Sequence, residues 1–164
     1  MKKAQHILFI LIFAICSCEH TEKEVSMSSD DHPYQPVSNV PQTQTIGTYN
    51  FRLEAHLARN FMPIIPSSGA PLVAVISLVE TEQKNIKGKF ELQTFKIAAF
   101  ERTWEPSFLT DTSFSNPYEI RRVSHDGPQL KPGRFVDVIG EFKSLETGKT
   151  YDILASKLEI KRSE

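Results

Sequence analysis

Apolar and polar side chains alternate along much of this chain with a period of two. Tyr49, Phe51, Leu53, Ala55 and Leu57 alternate with Asn50, Arg52, Glu54 and His56, the pattern of a half-buried strand. Residues 72–79 (LVAVISLV) are apolar on both faces and rich in β-branched types, which suits a central strand. A turn follows at residues 85–88. Phe90 and Leu92 share one face, but Phe95, Ile97 and Ala99 are out of phase with them, so a bulge or a change of sheet is expected near Gln93-Thr94. Residues 108–114 carry a faint strand pattern, and Tyr118, Ile120 and Arg122 a short one. In residues 135–142 (FVDVIGEF), Val136, Val138, Gly140 and Phe142 fall on one face. Glu146-Thr147-Gly148-Lys149 reads as a hairpin loop with glycine where positive φ is needed. Tyr151, Ile153 and Ala155 pair back, and Leu158 and Ile160 slip out of phase, which predicts a second bulge. No window carries a helical apolar stripe of twelve residues. The expected fold is all-β: an antiparallel sandwich of about seven strands. These are residues 48–58, 72–80, 90–99, 108–114, 118–124, 135–142 and 151–160.

The N-terminus breaks the alternation. Met1-Lys2-Lys3 is basic, and residues 7–16 (ILFILIFAIC) form an uninterrupted apolar run of ten. A helix needs about twenty residues to span a bilayer, so the run fits the core of a secretory signal peptide. Ile15-Cys16-Ser17-Cys18 resembles the bacterial lipobox, in which a branched aliphatic, a tolerant position and a small residue precede the cysteine. The resemblance implies a signal peptide over residues 1–17, a diacylglyceryl thioether on Cys18, and acylation of the amine freed by cleavage. It places the mature chain in the bacterial cell envelope, at the outer membrane, with the membrane as its first partner. Two or more acyl chains hold a protein where one binds marginally. The alternatives are Cys16 as the lipid site, against which Ile15 before it is too bulky for the cleavage pocket, and a plain signal peptide cut near Ser17.

The two cysteines lie at 16 and 18. With one removed and the other alkylated, the mature domain has no disulfide, no thiol nucleophile and no thiolate metal ligand. Packing alone must then stabilise it.

Composition divides what remains. Residues 19–46 hold five acids, one base, three prolines and no glycine, with Tyr34 as their one aromatic. Such a stretch buries too little apolar surface to offset its ordering entropy, so residues 18–46 are expected to be a lipid-anchored, flexible acidic linker. Glu19, Glu22 and Glu24 resemble the acidic stretch that routes some lipoproteins to the cell surface. All seven glycines fall from Gly47 onward, so residues 47–164 are the expected domain. A net charge of −1 over 164 residues argues against nucleic acid as a partner.

Pro132-Gly133-Arg134-Phe135-Val136-Asp137-Val138, the Glu146–Lys149 turn and Tyr151-Asp152-Ile153-Leu154 resemble the last hairpin of bacterial immunoglobulin-like domains. The chain is thus similar to small bacterial lipoproteins that end in such a domain. The resemblance implies an immunoglobulin-like sandwich, and fold similarity of this kind carries no activity with it.

Candidate chemistry is sparse. His56 falls on a polar strand face and His125-Asp126-Gly127-Pro128 reads as a turn; paired histidines at the spacing of a metal site are lacking. No metal and no cofactor are implied, and neither a Gly-x-Ser-x-Gly elbow nor a phosphate loop occurs. The expectation is a binding or structural module, not an enzyme, with an envelope protein or a glycan as partner. The alternatives are an accessory subunit of an envelope assembly and a hydrolase with a dispersed site.

Two features stand out as candidate contacts. The loop at residues 61–66 holds Phe61, Met62, Ile64 and Ile65 with two prolines; it either closes the core or offers an apolar contact site. Trp104 is part of the core, a lid over the sandwich end, or a ligand platform. With seven strands reversing in turn, the long connections 59–71, 100–107 and 125–134 gather at one end. The linker is then expected to enter at the other end, and Met62, Ile64, Ile65 and Trp104 to lie near one another.

Overall fold

The computed structural model describes residues 33–65, 67–100, 102–107, 109–111 and 116–164. The signal peptide, Cys18 and the linker as far as residue 32 lie outside the described residues.

Period-two patterning is realised directly. β2 (Tyr49–Asn60) buries Phe51, Leu53 and Leu57 and turns Arg52, Glu54 and His56 to solvent. β3 (Leu72–Glu80), apolar on both faces, is an interior strand between β2 and β7 (Glu119–Gly127). β4 (Phe90–Ala99) and β8 (Phe135–Ser144) pair with a register shift between Leu92 and Thr94, where the apolar phase slips. The second slip falls on β9 (Thr150–Ser163): its pairing with β8 shifts between Val136 and Val138, and Lys157 takes φ 54°. The β8–β9 hairpin turns at Gly148, φ 71°, with Ser144 N donating to Lys149 O. β5 (Arg102–Trp104) pairs with β4, and Thr110–Asp111 forms β6 against β7. The rest of the expected strand at residues 108–114 lies largely outside the described residues.

The described chain is all-β. Eight strands run in the order β5-β4-β8-β9-β2-β3-β7-β6. The sheet curls around one core: the Phe51 ring on β2 meets Phe90 on β4 at 4.7 Å and Phe142 on β8 at 5.2 Å, centroid to centroid. Leu57, Ile76, Leu92, Ile97, Val138 and Ile153 complete its centre, all but sealed from solvent.

Two expectations need correction. The sheet is mixed, because β9 runs parallel to β2 from Leu57↔Ile160 to Asn60↔Ser163. Past the bulge at Lys157, β9 stays paired with β8 through Leu158 and Glu159 and pairs with β2 from Ile160 onward, and that second pairing joins the two halves of the sheet. The domain also starts earlier than Gly47. Residues 33–46 are laid on it: β1 (Thr43–Ile46) pairs with β2 through a two-residue turn at Gly47, φ 60°, and Leu154 N donates to Pro41 O. The segment thereby covers the edge that β9 exposes where it diverges from β2, an edge otherwise open to intermolecular pairing.

Candidate functional site

The loops sort into two ends. At one end, Ile86 N donates to Pro117 O and Leu145 N to Lys89 O, which joins the β3–β4 and β8–β9 connections and the approach to β7. Glu80, fully buried, organises this end by accepting the amides of Asn50, Glu82 and Lys84 at 3.1, 3.0 and 2.6 Å. The other end gathers the β2–β3 connection, the β4–β5 turn and the β7–β8 connection. Here Phe61 N donates to Ser163 O and Gly133 N to Ile160 O.

Arg59 fixes this long-loop end. Its side chain is 3% exposed and donates to three backbone carbonyls: Nε to Ala70 at 2.9 Å, Nη1 to Leu130 at 3.0 Å and Nη2 to Ser68 at 2.5 Å. Two connections are thus tied to one buried guanidinium, whose pKa burial pushes below its ordinary value. The Phe61 ring lies between Arg59 and Arg162, at 5.0 and 4.6 Å from its centroid. It packs so closely on Gly69, φ 79°, that a Cβ there would meet the ring at 2.6 Å.

That anchorage leaves the loop tip in water. Ile64 is 91% exposed and Met62 42%, so the tip does not close the core. Ile65 is half-buried, and its amide donates to Met62 O in the same turn. Met62, Ile64 and Ile65 are therefore brought together. Trp104 is not placed with them. It lies on β5, beyond β9, β8 and β4 in the strand order, half-buried against Phe95 with ring centroids 6.1 Å apart.

Pattern reading missed Phe100 and Phe135, which are also exposed at this end. Together with Pro33, Tyr34, Ala99, Gly133 and Arg134 they line a cleft of about 250 Å³. Phe100 holds φ 56° in the β4–β5 turn, a conformation costly for an aromatic residue, and is 38% exposed. Lys157 Nζ lies 5.7 Å from the Phe135 ring centroid. Of the five exposed large apolar side chains among the described residues, only Leu145 belongs to the opposite end.

One wall of the cleft is the N-terminal segment, clasped by a buried carboxylate. Asp137 points away from the core, yet is fully buried because residues 34–37 and the β9 bulge cover it. It accepts from the Tyr34 hydroxyl at 2.6 Å, Val37 N at 2.6 Å and Lys157 N at 2.8 Å. The chain therefore enters at the long-loop end and runs along β9 to β1 at the other. This corrects the expected entry point: β2 does begin at the short-turn end, but residues 33–46 double back along its neighbours.

Desolvation, followed by the hydrogen bond to Asp137 and its charge, pushes the Tyr34 phenol up to about 12 from its ordinary 10.0. A raised value favours the protonated, docked form. Its contribution to stability is therefore complete below pH 10.0 and lost as pH rises through about 12. Tyr34→Phe is expected to cost about 1 kcal/mol at neutral pH, a deficit that closes across that window. Paired thermal unfolding curves check this, and absorbance titration should show one late-titrating tyrosine that the variant lacks.

Among the described residues no group of three His, Cys, Asp or Glu side chains is placed to hold a metal ion. His56 and His125 are exposed on their strands. The Ser124 hydroxyl donates to Asp126, which also accepts Ser107 N at 3.0 Å and so steadies the segment after β5. Comparison with protein families, with curated proteins and with solved structures finds no match for this chain.

Proposed function

We propose that this chain is a lipid-anchored bacterial envelope protein whose immunoglobulin-like sandwich serves as a binding or structural module, with its long-loop end as the contact surface. The strand order supports the sandwich reading. β2-β3-β7-β6 and β5-β4-β8-β9 follow the two sheets of an immunoglobulin-like domain, with β5 as an added edge strand and the parallel β2–β9 pairing as the departure from a purely antiparallel plan. The lipid anchor rests on the signal-like residues 1–17 and on Cys18.

The observation that carries the contact surface is the distribution of exposed apolar side chains. Met62 and Ile64 stand on the β2–β3 connection, Phe100 on the β4–β5 turn and Phe135 at the start of β8, all at one end, and the loop tip is held from below by Arg59. Apolar side chains grouped on a rigid end mark an interaction site, whereas scattered ones need no explanation.

Cys18→Ala tests the anchor. The variant is expected either to appear in the soluble fraction or to remain as an uncleaved precursor. A variant that matures normally and still sediments with membranes in a detergent-sensitive manner contradicts the reading.

A further inference from the structure

We infer that the long-loop end is a membrane-docking surface: its exposed apolar tips insert into an anionic phospholipid surface, and the domain sits loops-down on the bilayer that holds its anchor. This inference rests on the lipid-anchor reading above and specifies the partner of the same surface.

Three observations converge on it. The first is where the chain enters. Tyr34 and Val37 are clasped by Asp137, and Pro33 lines the cleft beside Phe100 and Phe135. Fourteen residues, 19–32, separate Cys18 from Pro33. Fully extended, that length reaches at most about 50 Å, and a flexible chain of the same length typically spans about 20 Å. Because the chain joins the domain at the long-loop end, a tether of that length brings this end closer to the anchor on average than the Glu80-organised end.

The second is the tip chemistry. Ile64, at 91% exposure, and Met62 project from a loop whose base is tied down, and the Phe100 and Phe135 rings flank the chain entry. Large apolar groups on fixed loops can enter the headgroup–acyl boundary without the ordering cost of a mobile segment.

The third is charge. The bulge and end of β9 and the β7–β8 connection expose Lys131, Lys157, Lys161 and Arg162 against Glu159 and Glu164. The excess is basic, although the whole chain carries −1. Basic side chains next to inserting apolar ones complement anionic headgroups.

The experiment uses the full chain, expressed with its own N-terminus, purified from membranes and reconstituted in vesicles. Cys16 leaves with the signal peptide and Cys18 is alkylated, so a cysteine introduced in Ile64→Cys or Leu145→Cys is the one free thiol. Both sites are exposed, and neither substitution disturbs the core. Each variant carries a polarity-sensitive fluorophore and is read in phosphatidylglycerol-containing vesicles with a nitroxide-labelled lipid as quencher. At position 64, blue-shifted emission and about threefold or greater quenching relative to position 145 are expected, weakened by high salt or by all-phosphatidylcholine vesicles. Equal, water-like signals at both positions from protein that floats with the vesicles would overturn docking and leave the anchor intact. The end would then be free for a protein or glycan. Protein that fails to float overturns the anchor reading and the docking inference with it.

Discussion

Phe51→Ala is expected to destabilise the domain by about 3–5 kcal/mol. Phe51 is fully buried, and its ring bridges the halves of the curled sheet through Phe90 and Phe142. Truncation forfeits the transfer free energy of the ring. It also leaves a void between strands that are held apart by their own pairings with β3 and β9, so collapse is limited. Ile64→Ser supplies the contrast. A side chain that is 91% exposed contributes nothing to the core, and the change should fall within about 0.5 kcal/mol. Urea unfolding of both variants measures the difference. An Ile64→Ser loss approaching that of Phe51→Ala would show that the loop closes the core after all.

Arg59→Met should cost about 3 kcal/mol. Hydrogen bonds from a charged donor contribute about 1.5–3 kcal/mol each, and three are lost together. Part of that loss is offset because methionine keeps much of the apolar stem and removes a buried charge with no carboxylate paired to it among the described residues. Arg59→Lys retains the charge but not the planar fork that reaches Ser68, Ala70 and Leu130 together, so it should recover less than half of the loss. Chemical denaturation gives the magnitude, and amide exchange at Ala70 and Leu130 locates it. Both variants unfolding like the parent chain would mean that the long-loop end is not held by this guanidinium.

The parts of the fold governed by local periodicity were legible in the sequence. The strands built on alternation, the Gly148 turn and both bulges fall where the apolar phase runs or slips. The parts governed by tertiary pairing were not. Residues 33–46 are proline-rich and poor in apolar groups, which points to a linker. Yet they are ordered by backbone bonds to β2 and β9 and by the Asp137 carboxylate, none of which depends on apolar content. The Gly47-Thr48 pair between Ile46 and Tyr49 was the available hairpin signal. β5 is too short to show a period, and its place is set by pairing with β4.

At the candidate site, the apolar character of residues 61–66 was readable, whereas the choice between closing the core and facing solvent depended on Arg59. In a strand pattern Arg59 reads as an ordinary polar position; its burial comes from carbonyls brought by two loops. Phe100 and Phe135 sit at strand ends, where alternation no longer says which way a ring faces. Three residues of the expected cluster share the β2–β3 loop, whereas Trp104 lies on β5 at the core margin.

Attachment through Cys18 decides between an anchored module and a merely secreted one. The most direct measurement is the intact mass of the chain extracted from membranes, with fragmentation of its first peptide. The predicted result is a chain of residues 18–164 whose mass exceeds that of the polypeptide by a diacylglyceryl group on Cys18 and an acyl group on its amine. A mature chain that begins elsewhere, or that carries Cys18 as an unmodified thiol, would contradict it.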